Sequence, residues 1–262
     1  MKRICILGSG YIGRYLYSYL SNKLNNNFKI YLISIRNLNG FNSTRYDFLI
    51  DAADRSSGVH NDLIIDKLQL IREKKNDSML YIYLSSTSIY NDKSEIINEQ
   101  SQINPINDYQ LNKVENEKFI LENKKKNFIL RLSNIWSINS PKGSFIGDQV
   151  FKIKNRKPIE INNNDFKSYI DLVHLRDLSS IISNIITNKI ERNYILNICS
   201  GYSIQVAYIK NKIVRREFIK DITQQQFKRN FSTNNINNLG LKIPVQFCFY
   251  YNKYVSLLNK IK

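Results

Sequence analysis

Cysteine and histidine are scarce in this chain of 262 residues, and long apolar runs are missing. The three cysteines, Cys5, Cys199 and Cys248, are scattered, without C-x-x-C or zinc-ligand spacing. We therefore expect no disulfide framework and no metal site, and a reducing cytoplasm is the expected setting. His60 and His174 are too few for a histidine-based hydrolytic triad. No apolar run approaches the ~20 residues of a membrane helix, so a membrane is not an expected partner.

Acidic residues are also few, since 22 Asp and Glu stand against 39 Lys and Arg and leave a formal net charge of +17. Clustered basic residues favour binding to a phosphate backbone. Here the lysines are spread along the whole chain, and no nucleic-acid-binding motif accompanies them. We interpret the charge as solvated surface that can steer an anionic substrate. A nucleic-acid-binding role rests on charge alone, and no nucleic acid is expected as partner.

The first residues carry a pattern typical of a dinucleotide-binding turn. The apolar run Ile4–Leu7 predicts a strand, and G-x-G-x-x-G follows it before a predicted helix. In such a turn Gly8 makes the bend, Gly10 lets the backbone approach a pyrophosphate, and Gly13 lets helix and strand pack closely. The predicted cofactor-binding residues are Gly8, Ser9, Gly10, Tyr11, Ile12 and Gly13. The alternative is a glycine-rich turn without a ligand.

The next predicted strand, Phe28–Ile33, bears on which dinucleotide binds. An acidic residue after this strand would hold the ribose hydroxyls of NAD. The chain has Ser34 and Arg36 there instead, and an arginine can pair with the 2′-phosphate of NADP. The predicted cofactor is therefore NADP(H), with NAD(H) as the alternative if Arg36 is only a solvated loop residue. A further strand leads to Ala52 and Ala53, whose small side chains would let the cofactor lie over the strand ends.

Two further segments suggest a site for acid–base chemistry. The predicted strand Leu80–Leu84 runs into a hydroxyl-rich stretch at the end where parallel strands bind ligands, and Thr87 and Ser88 are candidate substrate contacts. Tyr109 and Lys113 are spaced one turn apart near the start of a predicted helix. A free tyrosine has a pKa of ~10, and a nearby lysine favours the phenolate. Taken separately, both segments are equally compatible with an ordinary surface.

In this order, the segments resemble the extended short-chain dehydrogenase/reductase family, in its nucleotide-sugar epimerase, dehydratase and reductase branch. Later segments are similar to further family landmarks, namely Phe128–Asn134, Arg156–Ile159, Asp171–Leu178 and Asn238–Pro244. The resemblance implies that Ser86, Tyr109 and Lys113 are catalytic, with Tyr109 and Lys113 also at the cofactor. It further implies that Asn134 contacts the phosphate of a nucleotide-linked sugar.

The resemblance implies an α/β fold, a Rossmann-type doubly wound parallel sheet with a small C-terminal substrate lobe. The predicted dinucleotide-binding domain covers residues 1–143, and its helices include one over 59–75. Residues 144–168 and 187–262 form the predicted lobe, and residues 169–186 return to the first domain.

The activity implied is reduction of a keto group on a nucleotide-diphosphate sugar, in polysaccharide biosynthesis. A 4,6-dehydratase is not expected, because Thr87 and Ser88 stand where family dehydratases carry an Asp-Glu pair. One alternative is a nucleotide-sugar epimerase with tightly bound NAD, which uses the same catalytic residues. An alternative of another class is an NADP(H)-binding regulator without catalysis. A homodimer is left open as the assembly.

Overall fold

The structure is a computed structural model of the chain. It describes residues 1–24, 26–38, 41–42, 45–53, 78–90, 96–123, 126–188, 193–215, 217, 227–228, 231–241 and 247–258. The helix predicted over 59–75 lies outside these residues, and so does His60. Within the described part of the chain, no helix is both long and apolar enough to cross a membrane.

The described residues contain ten strands and eight α-helices. The strands are Lys2–Leu7 (β1), Phe28–Ile33 (β2), Phe48–Asp51 (β3), Leu80–Ser86 (β4), Asn127–Leu132 (β5), Asn134–Trp136 (β6), Tyr169–His174 (β7), Tyr194–Ile198 (β8), Ser203–Gln205 (β9) and Phe227–Lys228 (β10). The α-helices are Tyr11–Lys23 (α1), Asp108–Asn123 (α2), Phe145–Lys154 (α3), Asn163–Lys167 (α4), Leu175–Thr187 (α5), Val206–Arg215 (α6), Asn234–Asn238 (α7) and Phe247–Leu258 (α8). A short 3₁₀ turn covers Thr87–Ile89.

The larger sheet brings the two predicted cofactor segments together. Its strands among the described residues follow the order β2-β1-β3-β4-β5-β8, and the pairs β1–β2, β1–β3, β3–β4 and β4–β5 run parallel. The chain leaves β1 for β2 on one side and continues at β3 on the other. Ligands bind beyond the carboxyl ends of the strands at such a reversal of order. Here β1 leads into Gly8 and β3 leads into Ala52.

The inner strands β3, β4 and β5 of this sheet are almost entirely buried, as expected where a parallel sheet is covered on both faces, whereas the edge strand β2 is only partly buried. Residues from β1, β3, β4 and β5 pack in one cluster that includes Leu7, Leu49, Tyr81, Tyr83 and Ile129. On helix α1, Leu16 and Leu20 are buried. The predicted α/β fold with a Rossmann-type doubly wound sheet is confirmed.

The chain divides into two compact units. The first comprises residues 1–92, 99–132 and 179–196, and the second comprises residues 93–98, 133–178 and 197–262. In the second unit, strands in the order β10-β9-β7-β6 form another sheet, in which β6 and β7 are parallel while β7–β9 and β9–β10 are antiparallel. Its core includes Trp136, Ile146, Leu172, Ile209 and Tyr251.

These boundaries differ from the predicted domains at three strands. Strand β6 lies within residues 1–143, which are predicted for the first domain, but it belongs to the sheet of the second unit. Residues 169–186 were expected to return to the first domain, but β7 belongs to the sheet of the second unit. Residues 187–262 were expected to belong entirely to the lobe, but β8 completes the larger sheet. The reason is that a short apolar strand has the same sequence pattern whichever sheet it joins.

Candidate active site

The glycine turn after β1 has the geometry that its spacing predicts. Gly8 has a φ of 107°, in the left-handed region that favours glycine. Its amide donates to the carbonyl oxygen of Ile33 at 2.8 Å, and a Cβ at this position would lie 2.8 Å from the carbonyl oxygen of Ala52. Gly8 therefore allows β1, β2 and the end of β3 to meet closely.

Gly13 and Gly10 differ in the space around them: Gly13 is tightly packed, and Gly10 is not. A Cβ on Gly13 would stand 1.8 Å from the carbonyl oxygen of Gly8, so α1 packs against the turn only with glycine here. A Cβ on Gly10 would meet no atom of the described residues within 4 Å. The chain itself does not require glycine at position 10. Open space at that point fits the predicted role of Gly10, which is to let a pyrophosphate approach the backbone.

The start of α1 is suited to an anion. Gly10 is the N-cap and supplies no side-chain hydrogen bond, and the first turn contains no acidic residue. The N–H groups of the first turn and the positive end of the helix dipole are therefore not capped by a side chain of Gly10 or opposed by an acidic residue, which suits an anionic ligand. The residues of the turn fit a dinucleotide pyrophosphate.

Arg36 and the two alanines lie where the sequence predicts them. Arg36 is exposed three residues after β2, and its amide donates to Ser34 Oγ at 3.3 Å. Ala52 and Ala53 follow β3, and the amide of Ala53 donates to Asp51 Oδ1 at 3.1 Å. Asp51, which the sequence reasoning did not identify, also accepts a hydrogen bond from the hydroxyl of Tyr81 at 2.6 Å. This buried carboxylate shapes the alanine turn that faces Gly8.

Cys5 lies near this carboxylate in β1 and is fully buried. Burial, together with the charge of Asp51, raises the pKa of the Cys5 thiol to about 12. The thiol therefore stays protonated and unreactive at neutral pH.

Helix α2 presents Tyr109 and Lys113 on one face. The side chain of Asn107 accepts a hydrogen bond from the amide of Gln110 at 3.0 Å and caps the helix start. Lys113 is only 4 % exposed, and its Nζ donates to the carbonyl oxygen of Leu84 at 2.7 Å. The same Nζ lies 5.7 Å from the ring centroid of Tyr109. A buried cation is thus held beneath a partly exposed phenol.

Ser86 ends β4 and begins the 3₁₀ turn. Its Oγ accepts a hydrogen bond from the amide of Ser88 at 3.2 Å and lies 2.9 Å from Ser88 Oγ. Thr87 points elsewhere, since its hydroxyl donates to the carbonyl oxygen of Leu132 at 3.3 Å. Of the two predicted substrate contacts, Ser88 shares the hydroxyl cluster of Ser86, whereas Thr87 is bonded to the end of β5.

A buried ion pair beneath these residues was not predicted. Arg131 Nη2 lies 2.7 Å from Glu117 Oε2, and both residues are buried. Burial lowers the pKa of Arg131, but the hydrogen bonds and charge of Glu117 outweigh it and leave that pKa above its usual value. Two features of the sequence could have revealed the pair. Glu117 follows Lys113 by one helical turn, and Arg131 interrupts an apolar strand.

In the second unit, Asn134 is exposed, and its Nδ2 donates to the carbonyl oxygen of Asp171 at 3.2 Å. The Asp171 carboxylate accepts hydrogen bonds from Ser133, Ser200 and Gly201. Burial raises the pKa of Asp171 in spite of these bonds. Asn134 is therefore held in place next to a rigid cluster, with part of its amide turned to solvent.

The remaining histidine packs in this unit. The His174 ring stacks on Tyr250 with centroids 3.8 Å apart and meets Trp136 edge-on at 5.1 Å. Burial, with the nearby charges of Arg176 and Lys253, lowers the pKa of His174 to about 4. His174 is neutral at pH 7 and is a packed residue.

Comparison with known proteins settles the family. The NAD-dependent epimerase/dehydratase family matches residues 4–199, which is three quarters of the chain. The chain belongs to this family. The predicted resemblance to the epimerase, dehydratase and reductase branch is thereby confirmed, as is the prediction of an NAD(P)-dependent enzyme. A search of curated protein sequences finds no match.

Solved structures with the same fold include all three activities of the branch. The dTDP-glucose 4,6-dehydratase of Bacillus anthracis, in complex with NAD, has a TM-score of 0.76 at 15% identity and covers 99% of this chain and 97% of its own. The UDP-N-acetylglucosamine 4-epimerase of Methanobrevibacter ruminantium has a TM-score of 0.72 at 16% identity, covering 100% and 99%. The dTDP-4-dehydrorhamnose reductase of Bacillus anthracis, in complex with NADP, has a TM-score of 0.70 at 18% identity and covers 100% of both chains.

These relatives bind NAD in one case and NADP in another. The family to which the chain belongs is NAD-dependent, so a nicotinamide dinucleotide is its cofactor type, and the choice between NAD(H) and NADP(H) remains a prediction. The roles of Ser86, Tyr109, Lys113 and Asn134 also remain predictions.

Proposed function

We propose that this enzyme reduces a keto group, at C4, on a nucleotide-linked deoxyhexose and uses NADPH to do so. The observation that carries the proposal is the arrangement of Tyr109 over Lys113. Lys113 is buried, hydrogen-bonded to the carbonyl oxygen of Leu84 and close to the phenol ring. Ser86 ends the strand that supplies this carbonyl.

In the proposed reaction, Tyr109 donates its phenolic proton to the carbonyl oxygen of the sugar. When bound, NADPH would supply the hydride for the carbonyl carbon. The positive charge of Lys113 stabilises the phenolate that Tyr109 becomes after it gives up its proton. Ser86 donates a hydrogen bond to the same carbonyl oxygen and fixes its position beside the phenol. Lys113 also contacts the nicotinamide ribose in this proposal.

Arg36 supports the choice of NADPH. It is exposed just beyond β2 and stands where a ribose-binding acid would lie in an NAD enzyme. A guanidinium pairs well with a phosphate, and no carboxylate at this position would repel one. The glycine turn suits NADPH and NADH equally, so the choice of NADPH in this proposal rests on Arg36.

A nucleotide-diphosphate sugar fits the charges of the chain. The net charge of +17 favours an anionic substrate, and Asn134 keeps an exposed amide for its phosphates. Ser88 and Thr87 are proposed to contact the sugar. The Ser88 hydroxyl is hydrogen-bonded to the Ser86 hydroxyl, whereas the Thr87 hydroxyl binds the end of β5. Such a product would serve polysaccharide biosynthesis.

The test separates this reductase from an epimerase. The purified protein is incubated with NADPH and a nucleotide-linked 4-keto-6-deoxyhexose, and loss of the reduced nicotinamide absorbance is followed. We expect steady consumption of NADPH and little nucleotide released when the protein is denatured. Retained NAD⁺ together with interconversion of sugar epimers, without net use of NADPH, would contradict the proposal.

A further inference from the structure

Ser86 lies between two residues that are tied to the same buried ion pair. Ser85, just before it, donates from its Oγ to Glu117 Oε1 at 2.5 Å. Tyr90, four residues after it, accepts a hydrogen bond on its hydroxyl from Arg131 Nη1 at 2.6 Å. Glu117 and Arg131 bind each other, so the segment that carries Ser86 is fastened on both sides to one pair of charges.

The same pair also holds the helix that carries Tyr109. Tyr109, Lys113 and Glu117 recur at intervals of four and share one face of α2. Lys113 binds the carbonyl oxygen of Leu84, and Glu117 binds the hydroxyl of Ser85. Two neighbouring residues of β4 are therefore bound to two successive turns of α2, immediately before Ser86.

Stability alone gives no reason to bury these charges. Arg131 and Glu117 are 2 % and 3 % exposed, and well-packed apolar residues of similar volume often stabilise a core as much as a buried ion pair does. Apolar residues do not, however, form directional hydrogen bonds that fix the orientation of neighbouring elements. Arg131 binds Glu117 through Nε and Nη2, and its Nη1 binds both Tyr90 and the carbonyl oxygen of Glu99. Its planar fork thus fixes the helix, β5 and the segment after Ser86 relative to one another.

We propose that the Glu117–Arg131 pair is a positioning unit that sets the distance between Ser86 Oγ and the Tyr109 hydroxyl. This rests on the proposed function, in which both groups bind one carbonyl oxygen. Ser86 sits on a strand end and Tyr109 on a helix, and the pair joins the two elements. A displacement of about 1 Å between such groups can reduce the rate about 100-fold, so small losses in this network change catalysis before they unfold the protein.

The experiment weakens the network one group at a time, in two variants that leave the ion pair in place and in one that removes its negative charge. Tyr90→Phe and Ser85→Ala each delete one hydrogen bond to the pair, and Glu117→Gln removes the charge while keeping the shape. We expect kcat for reduction of the ketosugar to fall about tenfold or more in each variant, with the Kd of NADPH within about twofold of wild type.

A matched control breaks an ion pair elsewhere. Lys210 Nζ lies 2.8 Å from Asp165 Oδ2 in the second unit. We expect Lys210→Met to lower the unfolding midpoint without changing kcat. If Tyr90→Phe, Ser85→Ala and Glu117→Gln likewise lower only the midpoint, the pair is merely structural and the inference is overturned.

A double-mutant cycle supplies a readout that stability does not affect. Ser86→Ala is made in wild type and in Tyr90→Phe, and kcat is compared. If the network positions Ser86, loss of the Ser86 hydroxyl reduces kcat by a smaller factor in Tyr90→Phe than in wild type, so the effects of the two substitutions are not additive. Additive effects would overturn the inference. Full activity of Tyr109→Phe would instead refute the proposed function, so the two failures are distinguishable.

Discussion

Adding one methyl group to Gly13 or to Gly10 tests how the cofactor turn works. In Gly13→Ala the new Cβ stands 1.8 Å from the carbonyl oxygen of Gly8, whereas real Cβ contacts are not found below 3.0 Å. Helix α1 must therefore move by about 1.2 Å, the difference between the two distances. Overpacking of this kind costs about 1–3 kcal/mol or more, so Gly13→Ala should unfold at a clearly lower temperature.

Gly10→Ala should behave in the opposite way. Gly10 has a φ of −72° and a ψ of −169°, which any residue adopts, and the new Cβ meets no atom of the described residues within 4 Å. Stability should change by less than about 1 kcal/mol, as for an N-cap substitution. The methyl would nevertheless stand in the path of the pyrophosphate. A penalty of about 1–3 kcal/mol there weakens NADPH binding about 5- to 150-fold.

The assay pairs thermal unfolding without ligand, followed by circular dichroism, with titration of NADPH followed by its fluorescence. We expect normal stability with weak NADPH binding for Gly10→Ala and low stability for Gly13→Ala. Wild-type affinity for NADPH in Gly10→Ala would show that the phosphates do not cross this residue, and the dinucleotide assignment of the turn would fail.

Two further predictions concern Arg36 and His174. In Arg36→Ala the preference for NADPH over NADH should fall about 10-fold or more, because a charged hydrogen bond contributes about 1.5–3 kcal/mol. The preference is measured as the ratio of the kcat/KM values for the two cofactors, and an unchanged ratio would refute the role of Arg36. For His174, the pKa of about 4 in the folded chain lies below the ordinary 6.5, so the unfolded chain takes up the proton first and stability is lost as the pH falls from 6.5 towards 4. Each pH unit in this interval lowers the free energy of unfolding by about 1.4 kcal/mol. His174→Phe keeps a ring stacked on Tyr250, so between pH 6.5 and pH 4 its free energy of unfolding, measured in urea, should fall by up to about 3 kcal/mol less than that of wild type. Equal pH profiles of the two proteins would contradict this.

Local patterns were enough to predict the elements that carry the candidate site. The apolar run before Gly8, the strand Phe28–Ile33 and the helix that begins near Tyr109 are all found at the expected positions. These features depend on residues close together in the chain, where periodicity, glycine spacing and capping act directly.

Features that depend on distant pairing could not be predicted. The sheet that β7 joins is set by its contacts with β6 and β9, which a short apolar run does not encode. The Glu117–Arg131 pair joins a helix to a strand, and although an arginine within an apolar strand indicates a buried partner, the sequence does not show which acidic residue that partner is. Asp51 likewise shows its role only when Tyr81, thirty residues later, is brought beside it.

The central claim is that Tyr109 is the proton donor, and Tyr109→Phe tests it most directly. The substitution removes one oxygen from a ring that is 37 % exposed, so fold and NADPH binding should be nearly unchanged. Steady-state kinetics with a nucleotide-linked 4-keto-6-deoxyhexose measure kcat, while fluorescence confirms that NADPH still binds. General acid catalysis contributes about 10²–10⁴ in rate, so kcat should fall by about that factor. A kcat close to wild type, with NADPH bound, would contradict the proposed mechanism.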